Sequence, residues 1–435
     1  MEYIKRIVDR EIDNRIQAFN AINIVGPKGC GKTRTAKERC KTAIEFQDEE
    51  KRENYMTIVE VSPKLLLDNE KPILFDEWQD APKIWGMIRK ECDDNPDALG
   101  QYYLTGSTSN KATTPHTGTG RITEISMLPM TLAETGESTG EISISRLVSD
   151  KEYVIDGTQN GTELEQLFFA ACRGGWPRCL ALKNREAQLE IAKDYFRQIC
   201  EKDASAFDGT KRNPQWVRAL LSSYARNMAT TAKKKSIYSD VMANHFVTEA
   251  SLASYINVLE GLYVIRDIDA WTPQIRSKTA IRASKKHIFL DPSIGIAALG
   301  ISPEYFRKDL DLFGHVFENL VLRDLLASAN AHNARILHYT DDAGVEADAI
   351  YQLENGDYAL IEIKLGASKI PEAERGLIRF RDTIKRHNEN ANNNPAHPKP
   401  IYREPSALVV ICGTAPISYT TASGVKVVPI GCLGD

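Results

Sequence analysis

Long apolar runs are absent from this chain: no stretch approaches the roughly 18 consecutive apolar residues needed to span a bilayer. The opening residues Met1–Arg10 are charged and lack an apolar signal core, so export is not expected and the reading is a cytoplasmic protein. Paired cysteine spacing is absent too. The eight cysteines (Cys30, Cys40, Cys92, Cys172, Cys179, Cys200, Cys412, Cys432) form no C-x-x-C pair, which argues against a zinc site or a disulfide frame and for reduced thiols. Nor is there an excess of basic charge. At a net charge of −4 the chain as a whole exerts no pull on nucleic acid, so any such contact must come from a local patch. A hydrophobic fraction of 42% is ordinary for a globular protein, and 435 residues suggest two or three domains.

What the chain does contain is Gly26-Pro27-Lys28-Gly29-Cys30-Gly31-Lys32-Thr33, a complete GxxxxGK[ST] phosphate-binding loop. The apolar run Ala21–Val25 before it reads as a buried strand, and Arg34–Glu45 after it reads as a helix. Gly26, Gly29 and Gly31 allow the backbone to curl so that successive N–H groups face phosphate oxygens. Lys32 is placed to neutralise the β- and γ-phosphates of ATP, and the Thr33 hydroxyl to occupy one Mg²⁺ position. Cys30 lies within the loop, where alkylation would bear on nucleotide binding.

Lys71-Pro72-Ile73-Leu74-Phe75-Asp76-Glu77 is a short apolar strand ending in two carboxylates. In that pattern Asp76 holds the Mg²⁺ and Glu77 polarises the water that attacks the γ-phosphate. A third apolar strand, Tyr102–Thr105, leads into Gly106-Ser107-Thr108-Ser109. Ser107 is the first candidate for a polar side chain that reads the γ-phosphate, and Thr105 the second. The stretch Ser107–Gly120, rich in Thr, Gly and Ser, reads as a mobile loop. Arg121 follows it, either as an arginine finger toward its own or a neighbouring subunit's nucleotide or as a surface arginine opening a strand.

Residues 1 to about 145 alternate strand and helix, which predicts an α/β domain built on a parallel sheet. Its strands are expected at Ala21–Val25, Thr57–Ser62, Ile73–Asp76, Tyr102–Thr105 and Ile122–Ser126. Residues 155–275 are mostly helical in pattern. Helices are expected at Trp216–Arg226, Tyr238–His245 and Glu249–Leu259, the last capped by Thr248 and ended by Gly261, with a strand at Leu262–Asp269. Two short helices, a turn and a strand are the pattern of a winged helix-turn-helix. The tract Lys233-Lys234-Lys235 just upstream is either a phosphate contact or a solvated face.

The third part, 285–435, contains the amphipathic stretch Phe313–Ala327 and the strands Ile336–Thr340, Val345–Gln352 and Tyr358–Leu365, the last two joined by a turn at Glu354-Asn355-Gly356-Asp357. Glu346 and Asp348 share one strand face, as do Glu362 and Lys364. The hairpin sets Asp348 beside Glu362, where the pair either shares a divalent metal with Lys364 near the attacking water or forms a cross-strand ion pair.

The phosphate loop, Phe75-Asp76-Glu77, Leu104-Thr105-Gly106-Ser107 and the segment from Gly120-Arg121 to Pro129 together resemble a large prokaryotic family of AAA+-like P-loop ATPases. In that family the ATPase module precedes a winged-helix region and a C-terminal domain of unknown function similar to PD-(D/E)xK nucleases. The resemblance extends over essentially the whole chain. It implies Glu318 as the helix acid, Asp348 as the metal aspartate and Glu362 with Lys364 as the E-x-K pair, served by Mg²⁺ or Mn²⁺. Gly174-Gly175-Trp176-Pro177 matches a family hallmark whose role the sequence does not give. The insert Thr113–Gly120 departs from the pattern, as does Ala349, where an aromatic is more usual. Asn388–Pro400 reads as an exposed insertion. Three functions are therefore expected to compete: an ATP-hydrolysing switch acting on DNA or a protein partner, an ATP-gated metal-dependent nuclease, and an ATP-binding signalling scaffold. None involves a membrane, and a finger role for Arg121 requires an oligomer.

Overall fold

The structure is a computed structural model that describes residues 2–106, 118–273, 284–341, 344–393 and 400–435. The expected γ-phosphate reader Ser107 and much of the 107–120 loop lie outside the described residues, as do positions 394–399.

The N-terminal part is built on five parallel strands, β1 (Ala21–Val25), β2 (Thr42–Glu45), β3 (Ile73–Asp76), β4 (Tyr102–Gly106) and β5 (Ile122–Ser126). Their order in the sheet is β2-β3-β4-β1-β5. β1, β3 and β4 are buried along their whole length, as expected of strands covered on both faces. The loop Gly26–Gly31 leaves the C-terminal end of β1, and Asp76 closes β3 on the same rim of the sheet.

Two expectations fail here. The helix after the phosphate loop covers only Lys32–Lys37, and Thr42–Glu45 is strand β2, with Ile44 buried opposite Phe75. Thr57–Ser62 is not a strand but lies in and just after the helix Arg52–Val61. Its β-branched run reads as extended, yet only Val59 is buried while Val61 is 80% exposed, so one helical face packs and the other meets water.

The middle part contains the helices Leu164–Arg173, Arg185–Gln198, Pro214–Arg226, Lys234–Met242 and Glu249–Gly261. Thr248 caps the last of these, accepting the Ser251 N–H at 3.2 Å. An antiparallel pair follows, β6 (Ile265–Ile268) with β7 (Lys286–Phe289), and the helix Pro292–Leu299 packs on Arg185–Gln198 and Pro214–Arg226. Residues 286–299 are thus tied to the middle part, although the sequence pattern starts the third part at about 285.

The C-terminal part places the helix Leu310–Ala331 before β8 (Arg335–Thr340), β9 (Glu346–Gln352) and β10 (Tyr358–Lys364). The helix Ile370–Asn392 then precedes β11 (Ala407–Cys412), β12 (Tyr419–Thr420) and β13 (Lys426–Pro429). The expected insertion from Asn388 thus begins as the last turns of a helix. The sheet is mixed, in the order β12-β13-β11-β10-β9-β8, with β10, β11 and β13 parallel. One continuous apolar core runs from Leu128 through the middle helices to Leu433, so the middle and C-terminal parts share an interior.

A buried ion cluster joins all three parts. Arg323, 1% exposed, pairs with Asp291 at 3.1 Å and with Asp324 at 2.8 Å. Asp291 also accepts the Gly175 N–H at 2.8 Å, and Asp324 the Leu132 N–H at 3.0 Å. This gives the Gly174-Gly175-Trp176-Pro177 segment a structural role. Gly175 lies against Met130, whose N–H donates to the Gly175 carbonyl at 2.7 Å, and a Cβ at 175 would stand 2.1 Å from the Met130 carbonyl oxygen. Trp176 donates its indole N–H to Ser293 at 3.0 Å.

Candidate functional site

The side chains expected at a phosphate site converge on the C-terminal rim of the parallel sheet. Lys32 is buried, and its ammonium donates to the carbonyls of Gly26 and Pro27, each at 3.0 Å. The Thr33 hydroxyl donates to Asp76 Oδ1 at 2.6 Å, and the Thr105 hydroxyl donates to the same oxygen at 2.5 Å. Asp76 and Thr105 are register partners on β3 and β4, which is why the two side chains meet. Thr105, the second candidate in sequence, is thus the described residue at the tip of β4 that enters the cluster. Glu77 follows Asp76 with φ of 52°, a left-handed conformation costly for a residue with a side chain and concentrated at functional sites. Its N–H donates to Thr105 Oγ1 at 3.3 Å, and its carboxylate accepts from the Gln79 amide.

The hydroxyl of Thr33 and the carboxylate of Asp76 are a hard-oxygen pair of the kind Mg²⁺ takes together with nucleotide phosphates. These residues fit that ion, which would supply positive charge to the phosphate oxygens.

The middle part closes over the loop. A cleft of about 770 Å³ has Gly29, Lys32, Thr33 and Glu77 on one side and Asp203 and Phe207 on the other. Asp203 ends a π-helical turn, Ile199–Asp203, that continues the helix Arg185–Gln198, and it pairs with Lys28 of the phosphate loop at 2.5 Å. Tyr195 approaches so closely that a Cβ at Gly29, where φ is +76°, would stand 2.1 Å from its hydroxyl. No spacing in the sequence announces these contacts, because they join residues over 160 positions apart. On the far side of Gly31 and Arg34 lies a second, apolar cavity of about 160 Å³, lined by Tyr3, Ile4, Arg34, Met130, Pro177 and Leu180. The Arg34 guanidinium stands 6.0 Å from the centre of the Tyr3 ring.

Placement bears on three residues whose roles the sequence left open. Arg121 opens β5 at the N-terminal rim of the sheet, the end opposite the phosphate loop, and pairs with Asp93 at 2.5 Å, so it is not a finger toward its own subunit's nucleotide. Cys30 is fully buried, with its thiol turned to the Met127 carbonyl, which removes it from easy alkylation. Within the lysine tract, Lys234 is committed to Asp267 at 3.1 Å and Glu260 at 3.6 Å.

The C-terminal residues do come together. Ala349 pairs with Ile361 across β9 and β10, which sets Asp348 opposite Glu362. Lys364 reaches Glu362 at 2.6 Å and Asp348 at 3.1 Å, and Asp348 also accepts the Ile363 N–H at 2.8 Å. Glu318 arrives from the helix Leu310–Ala331. A fifth residue, absent from the sequence expectation, completes the group: Lys286 of β7 donates to Glu318 at 2.5 Å and to the Asp348 carbonyl at 2.9 Å.

Burial pushes Glu362 up to about 8, reinforced by Asp348. Burial likewise raises Glu318 to about 7 against the pull of Lys286. For Asp348 burial also works upward, but Lys286 and Lys364 outweigh it and hold the carboxyl below its ordinary range. The same carboxylates keep both lysines charged despite their burial.

The divalent ion implied by the family resemblance does not fit this arrangement. The carboxylate oxygens that would ligate it are engaged by two ammonium groups, and among the described residues no three His, Cys, Asp or Glu side chains converge as a metal site.

The parallel sheet, the phosphate loop and the Thr33–Asp76–Glu77 cluster give the N-terminal part the α/β architecture of a P-loop NTPase. In agreement, residues 18–136 match the family model described as an AAA domain. Residues 164–305 match a domain of unknown function (DUF8612), and residues 313–433 a second one (DUF4143). Among solved structures the chain is similar to the Walker-type ATPase of Pyrococcus abyssi, at 11% identity and a TM-score of 0.38, over 68% of this chain and 96% of that one. No curated protein sequence matches the chain.

Proposed function

We propose that the chain is an AAA+-like ATPase that binds and hydrolyses ATP with Mg²⁺ and uses the cycle as a switch on a protein or DNA partner. The observation carrying this reading is the convergence of Thr33, Thr105 and Asp76 at 2.5–2.6 Å, with Glu77 next in the chain at the mouth of the cleft. In this reading the loop N–H groups and Lys32 bind the β- and γ-phosphates, while Thr33 and Asp76 hold the metal. Glu77 orients the attacking water and takes its proton. The water and metal end of the nucleotide is then fixed at Asp76 and Glu77, so the nucleoside leaves past Gly31 and Arg34. The apolar cavity beside Tyr3, Pro177 and Leu180 is the place for the base, with the ring of Tyr3 and the guanidinium of Arg34 as its flat partners.

The switch reading is supported by the contacts of Asp203 and Tyr195 with the loop, which let nucleotide occupancy bear on the middle helices. The succession Lys234–Met242, Glu249–Gly261 and the β6–β7 pair supports a winged-helix assignment, and the mixed sheet with its E-x-K strand a PD-(D/E)xK-like one.

The test is nucleotide binding and turnover in two variants. Lys32→Ala is expected to lose ATP binding, and unchanged affinity would sink the assignment. Glu77→Gln is expected to bind ATP but to slow turnover by about 10²–10⁴-fold. Normal turnover in that variant would remove Glu77 from the mechanism.

A further inference from the structure

We propose that Lys286 is an internal counter-ion occupying the cation position of the C-terminal carboxylate cluster, so that this domain is held together without a divalent metal. A metal shared by Asp348 and Glu362 would have to displace the Lys364 ammonium, which lies 2.6 Å from Glu362 and 3.1 Å from Asp348. On the Glu318 side of Asp348 stands a second ammonium group, that of Lys286. Lys286 Nζ lies 2.5 Å from Glu318 Oε1, 2.9 Å from the Asp348 carbonyl and 3.9 Å from Asp348 Oδ1. The first two oxygens are hydrogen-bonded to the ammonium, and the third, at 3.9 Å, adds a charge contact without a hydrogen bond. The side chain is only 8% exposed, and burying a charge to that extent is tolerated when it is paired and hydrogen-bonded, as it is here.

Counting charges strengthens the argument. Glu318, Asp348 and Glu362 offer three negative charges at most, and Lys286 with Lys364 returns two positive ones. A divalent ion added to that set would turn a near-balanced buried cluster positive, with both lysines repelled at close range.

The origin of the lysine gives the cluster a purpose other than phosphodiester cleavage. Lys286 belongs to β7, whose pairing partner is β6 of the middle part, while Glu318, Asp348 and Glu362 belong to the C-terminal part. On β7 the next residue, His287, turns the other way and pairs with Asp267 at 2.7 Å. β7 is therefore pinned on both faces, by an ion pair in the C-terminal part and by a hydrogen bond in the middle part. The carboxylates act as a socket for this strand, and the lysine is the plug.

The test is Mn²⁺ binding to the nucleotide-free full chain, followed by the EPR signal of the free aquo ion. Wild type is expected to bind no Mn²⁺ at this cluster. Lys286→Met, which keeps the stem and removes the charge, is expected to gain one bound Mn²⁺ per chain, and Lys286→Met with Asp348→Asn to lose it again. Should the single variant unfold, Lys286→Met with Glu318→Gln removes both partners of the pair and leaves Asp348 and Glu362 to take the ion. Wild-type binding of one Mn²⁺ that Asp348→Asn abolishes would overturn the proposal. So would a folded Lys286→Met protein, single or double, that gains none.

Discussion

Arg323→Met is the perturbation whose cost follows most directly from the geometry. The guanidinium is 1% exposed and sits between Asp291, fully buried, and Asp324, 5% exposed. Methionine fills the stem volume but leaves two carboxylates in the interior. Breaking a buried pair from one side costs about 3–5 kcal/mol. Asp291 keeps the N–H groups of Gly175 and Ser293, and Asp324 that of Leu132, so the lower end, about 3 kcal/mol, is expected. In a calorimetric scan this should appear as a fall of roughly 6–12 °C in the transition of the middle and C-terminal parts. The loss should also depend on pH. Burial already holds Asp324 up at about 6 in the presence of Arg323, and the variant should raise it further. An acid whose folded-state pKa is raised costs stability above that pKa and costs less below it. The deficit should therefore shrink as pH falls toward about 6 and level off below it. A shift within about 0.5 kcal/mol of wild type at neutral pH would refute the reasoning, because that is the scale of a surface substitution.

Other outcomes follow from the same structure. Leu180→Trp fills the cavity beside Tyr3; it should weaken ATP at least about tenfold, some 1.4 kcal/mol, while leaving inorganic tripolyphosphate affinity unchanged in a competition assay, and equal losses for both would move the base elsewhere. Thr105→Val removes a hydroxyl from Asp76 and should lower kcat with little change in ATP affinity, which steady-state kinetics would separate. Gly175→Ala drives a Cβ to 2.1 Å from the Met130 carbonyl and should lower the melting temperature by several degrees, a loss absent from a control at Gly161, where a Cβ meets nothing within 4 Å and φ is not positive. The C-terminal cluster should lose stability as pH rises from about 5 to about 8, since Glu318 and Glu362 both bind protons more tightly folded than unfolded; Glu362→Gln should flatten that slope in denaturant titrations.

The nucleotide loop was legible because its requirements are local. A run of small residues, a lysine and a hydroxyl must be consecutive to wrap one phosphate group, and an apolar strand must precede them. The hairpin carrying Asp348 and Glu362 was legible for the same reason: a turn at 354–357 and a period of two fix its register. What escaped depends on distance along the chain. β2 is an edge strand with only Ile44 buried, and it is extended because β3 offers it a partner, which no local propensity reports. Arg121 follows a loop that begins near the nucleotide rim, yet the strand it opens runs back from the opposite rim. Lys286 stands 32 residues from Glu318 and 76 from Glu362, with nothing in its own neighbourhood to mark it as part of their site.

The Arg323 cluster bears on how such a chain can be altered by recombination. Its two acidic members answer to backbone N–H groups that each belong to another segment: Gly175 for Asp291, Leu132 for Asp324. A chimera that imports a foreign ATPase module up to residue 140, or a foreign C-terminal domain from residue 313, would have to bring an amide or a carboxylate to the same points in space. The three parts are therefore exchangeable only as a set, although each alone has the size of an independent domain.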